Sequence, residues 1–157
     1  ASTGLDALTH AFEGYTSQYK NDFSDGLCLV AAELVFKYLP RAYRDGTDLE
    51  ARTKMHYAAS IAGMGFGNSM AALAHGLGHS LGAVFHIPHG RGVSLFLPYV
   101  IEFCARGEPG TTCYACMARY LGLPSSSEAE AAAGLAQAVR RLQAELGQPT
   151  SLADCDI

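Results

Sequence analysis

Four of the six histidines lie between residues 75 and 89, and a fifth, His10, stands four residues after Asp6. On a helix a four-residue step returns to the same face one turn on, so Asp6 and His10 point the same way. His75 and His79 repeat that step. His89 follows fourteen residues after His75, just past Pro88, where the start of another helix could aim its imidazole back. Imidazoles with a carboxylate make a borderline-hard donor set, suited to Fe(II) or Zn(II) and less so to magnesium or calcium. No thiolate belongs to the set, which disfavours a structural zinc knuckle.

Each residue also has a plainer reading. A lone helical histidine is usually a core or capping group, and His56 and His86 are read that way. Asp6 alone fits a helix N-terminus, where the dipole favours negative charge. The His75/His79 pair is harder to dismiss: a Gly- and Ala-rich helix is expected to be buried, and burying two imidazoles without partners costs free energy. Spacing alone makes a metal site a fair candidate and selects no reaction. Two other classes stay open. One is a metal-dependent hydrolase or lyase, for which Glu13, about one turn beyond His10, is the nearest carboxylate base; no HExxH motif supports it. The other is a non-enzymatic helical binding module whose histidines are haem or core groups.

These side chains need helices to hold them, and helical spacing dominates the chain. A first helix is expected over residues 5–19, with Ser2 or Thr3 near its start. A second is expected over 24–39, carried by Leu27, Val30 and Leu34 and stopped by Pro40. A third follows Asp45-Gly46-Thr47, over 48–64. Eight of the 17 glycines fall between Gly63 and Gly92, so close helix packing is expected there. That stretch predicts a buried helix around 69–82 and a turn at His86-Ile87-Pro88. Pro88 would open the next helix, which runs through Val93, Leu97 and Ile101 with Pro98 as a kink. Ser127-Glu128-Ala129-Glu130 has the pattern of a capping box, Leu135, Val139, Leu142 and Leu146 form an apolar stripe, and Gly147 and Pro149 end that helix. Cys113 and Cys116 read as thiols on a helix face. With no strand alternation, internal repeat or low-complexity linker, the chain reads as one all-α domain.

The 157 residues suffice for a core of their own. They are 49% hydrophobic and only 17% charged, so either the core is large or part of the surface is covered by something outside the chain. Net charge is −4 and the 11 basic residues are scattered, which argues against nucleic acid. No apolar run is long enough for a membrane span and no signal-peptide pattern is present. Five cysteines without framework spacing read as reduced thiols of a cytoplasmic protein. The chain is already patterned at Leu5 and ends just after Ser151-x-x-Asp154, a helix-start signal, so both ends read as cuts in a longer protein.

Two longer motifs add a resemblance. Gly4-Leu5-Asp6-Ala7-Leu8-Thr9-His10-Ala11-Phe12-Glu13 resembles the DALTHAxE segment of the iron-containing (group III) alcohol dehydrogenases. Ala62-Gly63-Met64-Gly65-Phe66-Gly67-Asn68-Ser69 is similar to the small-residue stretch before that family's histidine helix. Ala74-His75-Gly76-Leu77-Gly78-His79-Ser80-Leu81-Gly82, followed by Pro88-His89-Gly90, matches its HxxxHxLG…PHG signature. The likeness extends through Leu97-Pro98 and, more weakly, over nearly the whole chain.

The resemblance implies the helical metal-binding domain of the dehydroquinate synthase/iron-type alcohol dehydrogenase fold. It implies Asp6, His10, His75 and His89 as metal ligands. It sets His79 near the nicotinamide, as a proton relay or a shaping group, and Phe66 at the substrate border. Branches similar to glycerol dehydrogenase lack the DALTH histidine and tend to use zinc with three protein ligands; His10 therefore favours Fe(II), with Zn(II) as the alternative. The implied reaction interconverts small alcohols with aldehydes or ketones by hydride transfer to or from NAD or NADP. The resemblance is also compatible with a homo-oligomer.

The dinucleotide domain that the family places before this one has no counterpart in these residues. Gly63, Gly65 and Gly67 give G-x-G-x-G on a helical stretch, not G-x-G-x-x-G after a strand. The 157 residues alone are therefore expected to bind metal but to form no NAD(P)H from short primary alcohols or diols with added Fe(II). Robust turnover in that spectrophotometric assay would overturn the reading of the chain as one part of a longer enzyme.

Overall fold

Segments rich in Ala, Leu and Glu wind into seven α-helices in the computed structural model, which describes residues 1–155. They are α1 (Ser2–Thr16), α2 (Asp22–Arg44), α3 (Leu49–Gly67), α4 (Leu73–Phe85), α5 (His89–Cys104), α6 (Gly110–Tyr120) and α7 (Glu128–Glu145), with a short 3-10 turn at Leu152–Cys155. There is no strand among the described residues, in keeping with the all-α reading.

The helix at the centre is α1, which packs on α2, α3 and α5. Leu5, Leu8, Ala11 and Phe12 are fully buried, and Ala7 and Tyr15 nearly so. A helix apolar around most of its circumference belongs inside a bundle. Between Gly4 and Tyr15 the exceptions are Asp6 and His10, which are half-buried. The pairs α2–α3, α4–α5 and α6–α7 pack as neighbours around this axis, and α7 also packs on α5. The core runs from Phe12 through Val35, Ile101 and Tyr114 to Leu135 and Leu146.

Local signals set several helix ends. Asn21 caps α2 by accepting from the Phe23 and Ser24 amides, while the Ser24 hydroxyl accepts from the Asn21 amide. Asp48 caps α3 through the Ala51 amide. Ser127 accepts from the Glu130 amide, but the Glu130 carboxylate turns to Ser126, so only half of the expected capping box forms. Gly147 supplies the left-handed residue after α7, at φ +61.

Three expectations need correction. Pro40 does not stop α2, which runs on to Arg44. The hydrogen bond proline cannot donate is offset by the burial of Tyr38 and Leu39 and by the pairing of Arg41 with Asp48 and Glu50 in the last turn. Pro88 is the N-cap of α5 rather than its first residue. The fourth helix starts at Leu73, not near 69, and it is not buried all round: Ala74, His75, Gly78 and Leu81 face inward while Leu73, Leu77, Val84 and Phe85 are exposed. His86 ends it in the left-handed conformation at φ 55 as an exposed cap, and His56 is a residue of α3 outside the core.

Two glycines let this hairpin and α1 close up. A Cβ on Gly78 would lie 2.6 Å from Val93 Cγ1 and 2.7 Å from its backbone, so α4 and α5 touch there without side chains between them. A Cβ on Gly90 would lie 2.6 Å from the Ser2 carbonyl oxygen, so the start of α5 sits directly on the start of α1. Gly78→Ala is expected to destabilise the protein by about 1–3 kcal/mol, the usual cost of overpacking. Urea denaturation monitored by circular dichroism measures it, whereas Gly76→Ala, with nothing within 4 Å, should be neutral or stabilising.

Candidate metal centre

Residues 6, 10 and 13 fall on one face of α1, since steps of four and three residues each return near the same direction. That face looks toward the first turns of α4 and α5. His75 lies near the N-terminus of α4, and His89 is the first residue of α5. The close seat of Gly90 on Ser2 brings His89 alongside Asp6.

The histidines converge on Asp6. Its Oδ1 lies 3.5 Å from His75 Nε2, 3.4 Å from His89 Nε2 and 3.9 Å from His10 Nδ1. Ligand atoms of Asp6, His10 and His75 all lie within 4.8 Å of one another. His89 joins this set through Asp6 and is the open member, its side chain 48% exposed against 4% for His75. The His10 ring stacks on His75 with centroids 4.5 Å apart. His79 is exposed; its ring stacks on His89 at 5.1 Å and meets His75 edge-on at 5.7 Å. Phe66 packs on His10 at 4.6 Å. All six residues singled out from the sequence therefore lie in one cluster, although the burial expected for both members of the His75/His79 pair holds only for His75.

Glu13 completes the arrangement in a way sequence reading missed. It is 1% exposed, and its Oε2 sits 2.6 Å from His75 Nδ1. The same carboxylate accepts from the backbone amides of Ala72, Ala74 and His75 at the start of α4. A general base needs a lone pair free toward the reacting group. The Glu13 oxygens are instead taken up by α4, which weighs against the hydrolase alternative. The available signal was a carboxylate seven residues after Asp6, on the same face, amid Ala11, Phe12, Gly14 and Tyr15.

The electrostatics follow from this crowding. Burial opposes charge on His75, but Asp6 and Glu13 outweigh it and lift its pKa to about 9. Burial also pushes the Asp6 carboxyl up, yet His75, His10 and His89 together hold it below its ordinary value. Burial pulls His10 down against the attraction of Asp6. Cys113 is buried on α6 and its thiol is pushed up by that burial, which disfavours the thiolate that a redox pair with Cys116 would need.

The donor set fits a divalent metal ion. Asp6 Oδ1 and His75 Nε2 are buried atoms without a hydrogen-bond partner. A carboxylate acceptor at Nδ1 requires the proton on that nitrogen, so neutral His75 presents the Nε2 lone pair toward Asp6. Across 3.5 Å these two atoms are satisfied either by a proton on His75 Nε2 or by a cation in its place. Imidazole and carboxylate donors match Fe(II) or Zn(II).

An Asp–His face on one helix and histidines at the starts of two others give this helical bundle a cluster of donors that could hold a metal ion. The chain belongs to the Fe-containing alcohol dehydrogenase family, C-terminal, whose sequence pattern it matches over residues 1–157. It is 38% identical over 157 residues to the NADPH-dependent butanol dehydrogenase of Clostridium saccharobutylicum, covering 100% of this chain and 39% of that protein. It is 40% identical over 159 residues to an aldehyde-alcohol dehydrogenase of Streptococcus pneumoniae, covering 94% of this chain and 18% of the relative. The solved structure of a 1,3-propanediol oxidoreductase superposes with a TM-score of 0.94 at 33% identity, over 100% of this chain and 41% of that one. A sulfoacetaldehyde reductase of Bifidobacterium kashiwanohense, solved with NAD+, superposes with a TM-score of 0.87 at 33% identity, over 99% of this chain and 39% of that one. The chain thus spans about two-fifths or less of the length of these relatives.

The raised His75 pKa has a consequence for the metal-free protein. A proton held more tightly folded than unfolded stabilises the fold fully below the unfolded value near 6.5 and loses that effect as pH rises through about 9. Stability from urea titrations in chelator is expected to fall between about pH 7 and 9.5. His75→Ala should flatten that fall; an unchanged slope would contradict it.

Proposed function

We propose that this chain is the metal-binding part of an NAD(P)-dependent alcohol dehydrogenase that interconverts small alcohols with aldehydes or ketones. The observation that carries the reading is the pair of buried, unpartnered atoms Asp6 Oδ1 and His75 Nε2, flanked by His10 and His89. The proposed ligands are Asp6, His10, His75 and His89, with Fe(II) as the first choice of metal and Zn(II) the second. A divalent cation bound there supplies Lewis acidity, which makes an alcohol hydroxyl easier to deprotonate.

The chain's own residues do the remaining work. Asp6 balances the cation's charge, and the buried His75 fixes the inner wall of the site. His89 is half-exposed, so the substrate hydroxyl is taken to approach from its side. His79, exposed and stacked on His89, is the group proposed to take up or return a proton there. Phe66, against His10, offers an apolar surface for the carbon chain next to the reacting carbon.

NAD(P) is proposed to be held by a separate dinucleotide-binding domain that faces this open side. The exposed Leu73, Leu77, Val84 and Phe85 of α4 support a covered apolar surface elsewhere on that helix. A nicotinamide cofactor is supported by the NADPH dependence in the name of the butanol dehydrogenase and by the NAD+ in the sulfoacetaldehyde reductase. A cytoplasmic location is proposed on the thiols of Cys28, Cys104, Cys113 and Cys116, none of which is in a disulfide.

Metal analysis of anaerobically prepared protein tests the reading. A single divalent ion per chain is expected. His75→Ala and Asp6→Asn should each weaken its binding by well over about tenfold. Protein that holds no metal, or variants that keep it, would overturn the proposal.

A further inference from the structure

Glu13 is a buried carboxylate in an otherwise apolar turn of α1, and such a group is costly unless its oxygens are satisfied. Its hydrogen-bond partners all lie at the start of α4. Oε2 accepts from the Ala72 amide at 2.9 Å and meets His75 Nδ1 at 2.6 Å; Oε1 accepts from the Ala74 amide and, at 3.4 Å, from the His75 amide. Ala72 is the N-cap of α4 and has no side-chain oxygen to cap with. The end of that helix is therefore closed from another helix, by a carboxylate at the position where the dipole favours negative charge.

The same carboxylate leaves His75 little freedom. The imidazole cannot rotate about χ1 or flip without breaking the Nδ1 contact, and the contact selects the form with the proton on Nδ1. Nε2 is thereby aimed at Asp6. Because Asp6, His10 and Glu13 share one face of α1, Glu13 also sets the position of α4 relative to the helix that carries two of the proposed ligands. A second polar link in this region, from the Ser17 hydroxyl just past α1 to the Ser69 carbonyl, ends before α4 begins and does not reach His75.

We propose that Glu13 is a positioning residue: it holds His75 with Nε2 in the metal-binding orientation and so sets the affinity of the site. The inference rests on the metal reading above and assigns Glu13 no contact with metal or substrate. A carboxylate that orients a ligating imidazole and raises its basicity typically changes metal affinity by about 10- to 100-fold.

Zn(II) affinity of the full chain, measured by competition with a chromogenic chelator, tests this, together with the visible absorption of the Co(II)-loaded protein. Glu13→Gln keeps the shape and removes the charge. It is expected to weaken Zn(II) binding by about 10- to 100-fold and to alter the Co(II) spectrum. Leu81→Ala loosens a buried residue of the same helix and should lower the melting temperature with affinity close to that of the unmodified protein. Glu13→Asp, with the charge withdrawn by one methylene, should fall between and serves as the test if Glu13→Gln does not fold. Unchanged affinity in the folded Glu13 variant would overturn the proposal, as would an equal loss in Leu81→Ala. Failure of the unmodified protein to bind Zn(II), or undiminished binding by His75→Ala, would instead overturn the metal reading on which it stands.

Discussion

Two buried lone-pair atoms, Asp6 Oδ1 and His75 Nε2, face each other across 3.5 Å, and the surrounding structure is arranged around that contact. Neither atom has a hydrogen-bond partner, and burial removes the water that would otherwise supply one. In the metal-free protein a proton on His75 serves both atoms, and the proposed metal would take its place. Metal binding and imidazole deprotonation are coupled at such a centre, since the ligand must give up its proton to bind. Glu13 makes the contact definite by taking Nδ1, and thereby exposes the other nitrogen to Asp6.

The bundle supplies the geometry with few elements. One helix, α1, carries Asp6, His10 and Glu13, and its burial on most sides leaves it little freedom to shift. The α4–α5 hairpin brings the other three imidazoles. The hairpin closes on itself through backbone contact at Gly78 against Val93, and on α1 at Gly90 against Ser2. Side-chain volume at Gly78 would separate the helices that carry His75 and His89, and at Gly90 it would lift His89 away from Asp6. The outward side of α4 carries the exposed Leu73, Leu77, Val84 and Phe85, so among the described residues the helix is anchored along one face only. Firm placement of Asp6 and His75 thus coexists with an open approach past His79 and His89.

Helical periodicity makes the all-α fold legible, and i,i+4 spacing is enough to pick out Asp6/His10 and His75/His79. Helix ends are less legible where the decisive partner is remote. Pro40 reads as a stop, yet Tyr38 and Leu39 are packed well enough to carry α2 past it. The start of α4 is misplaced by local signals because its cap lies 59 residues away in sequence, on α1. Glu13 draws notice as a base near His10, whereas its partners make it an acceptor already saturated by a helix end. The His75/His79 pair looks equally buried, and spacing cannot distinguish the inward member of such a pair from one at the rim.

Sequence by itself determined which side chains share a helix face, because 3.6 residues per turn makes that a matter of counting. It also carried the two motifs that marked Asp6, His10, His75 and His89 as a group, through likeness to a family. Only the tertiary structure decided how those faces meet: that Asp6 is the point on which the imidazoles converge, that His75 lies inside and His79 outside, and that Glu13 serves His75. Those relations depend on distances between helices far apart in the chain. Such distances are set by backbone approach at glycines and by a buried carboxylate reaching a helix end, and local periodicity contains no record of either.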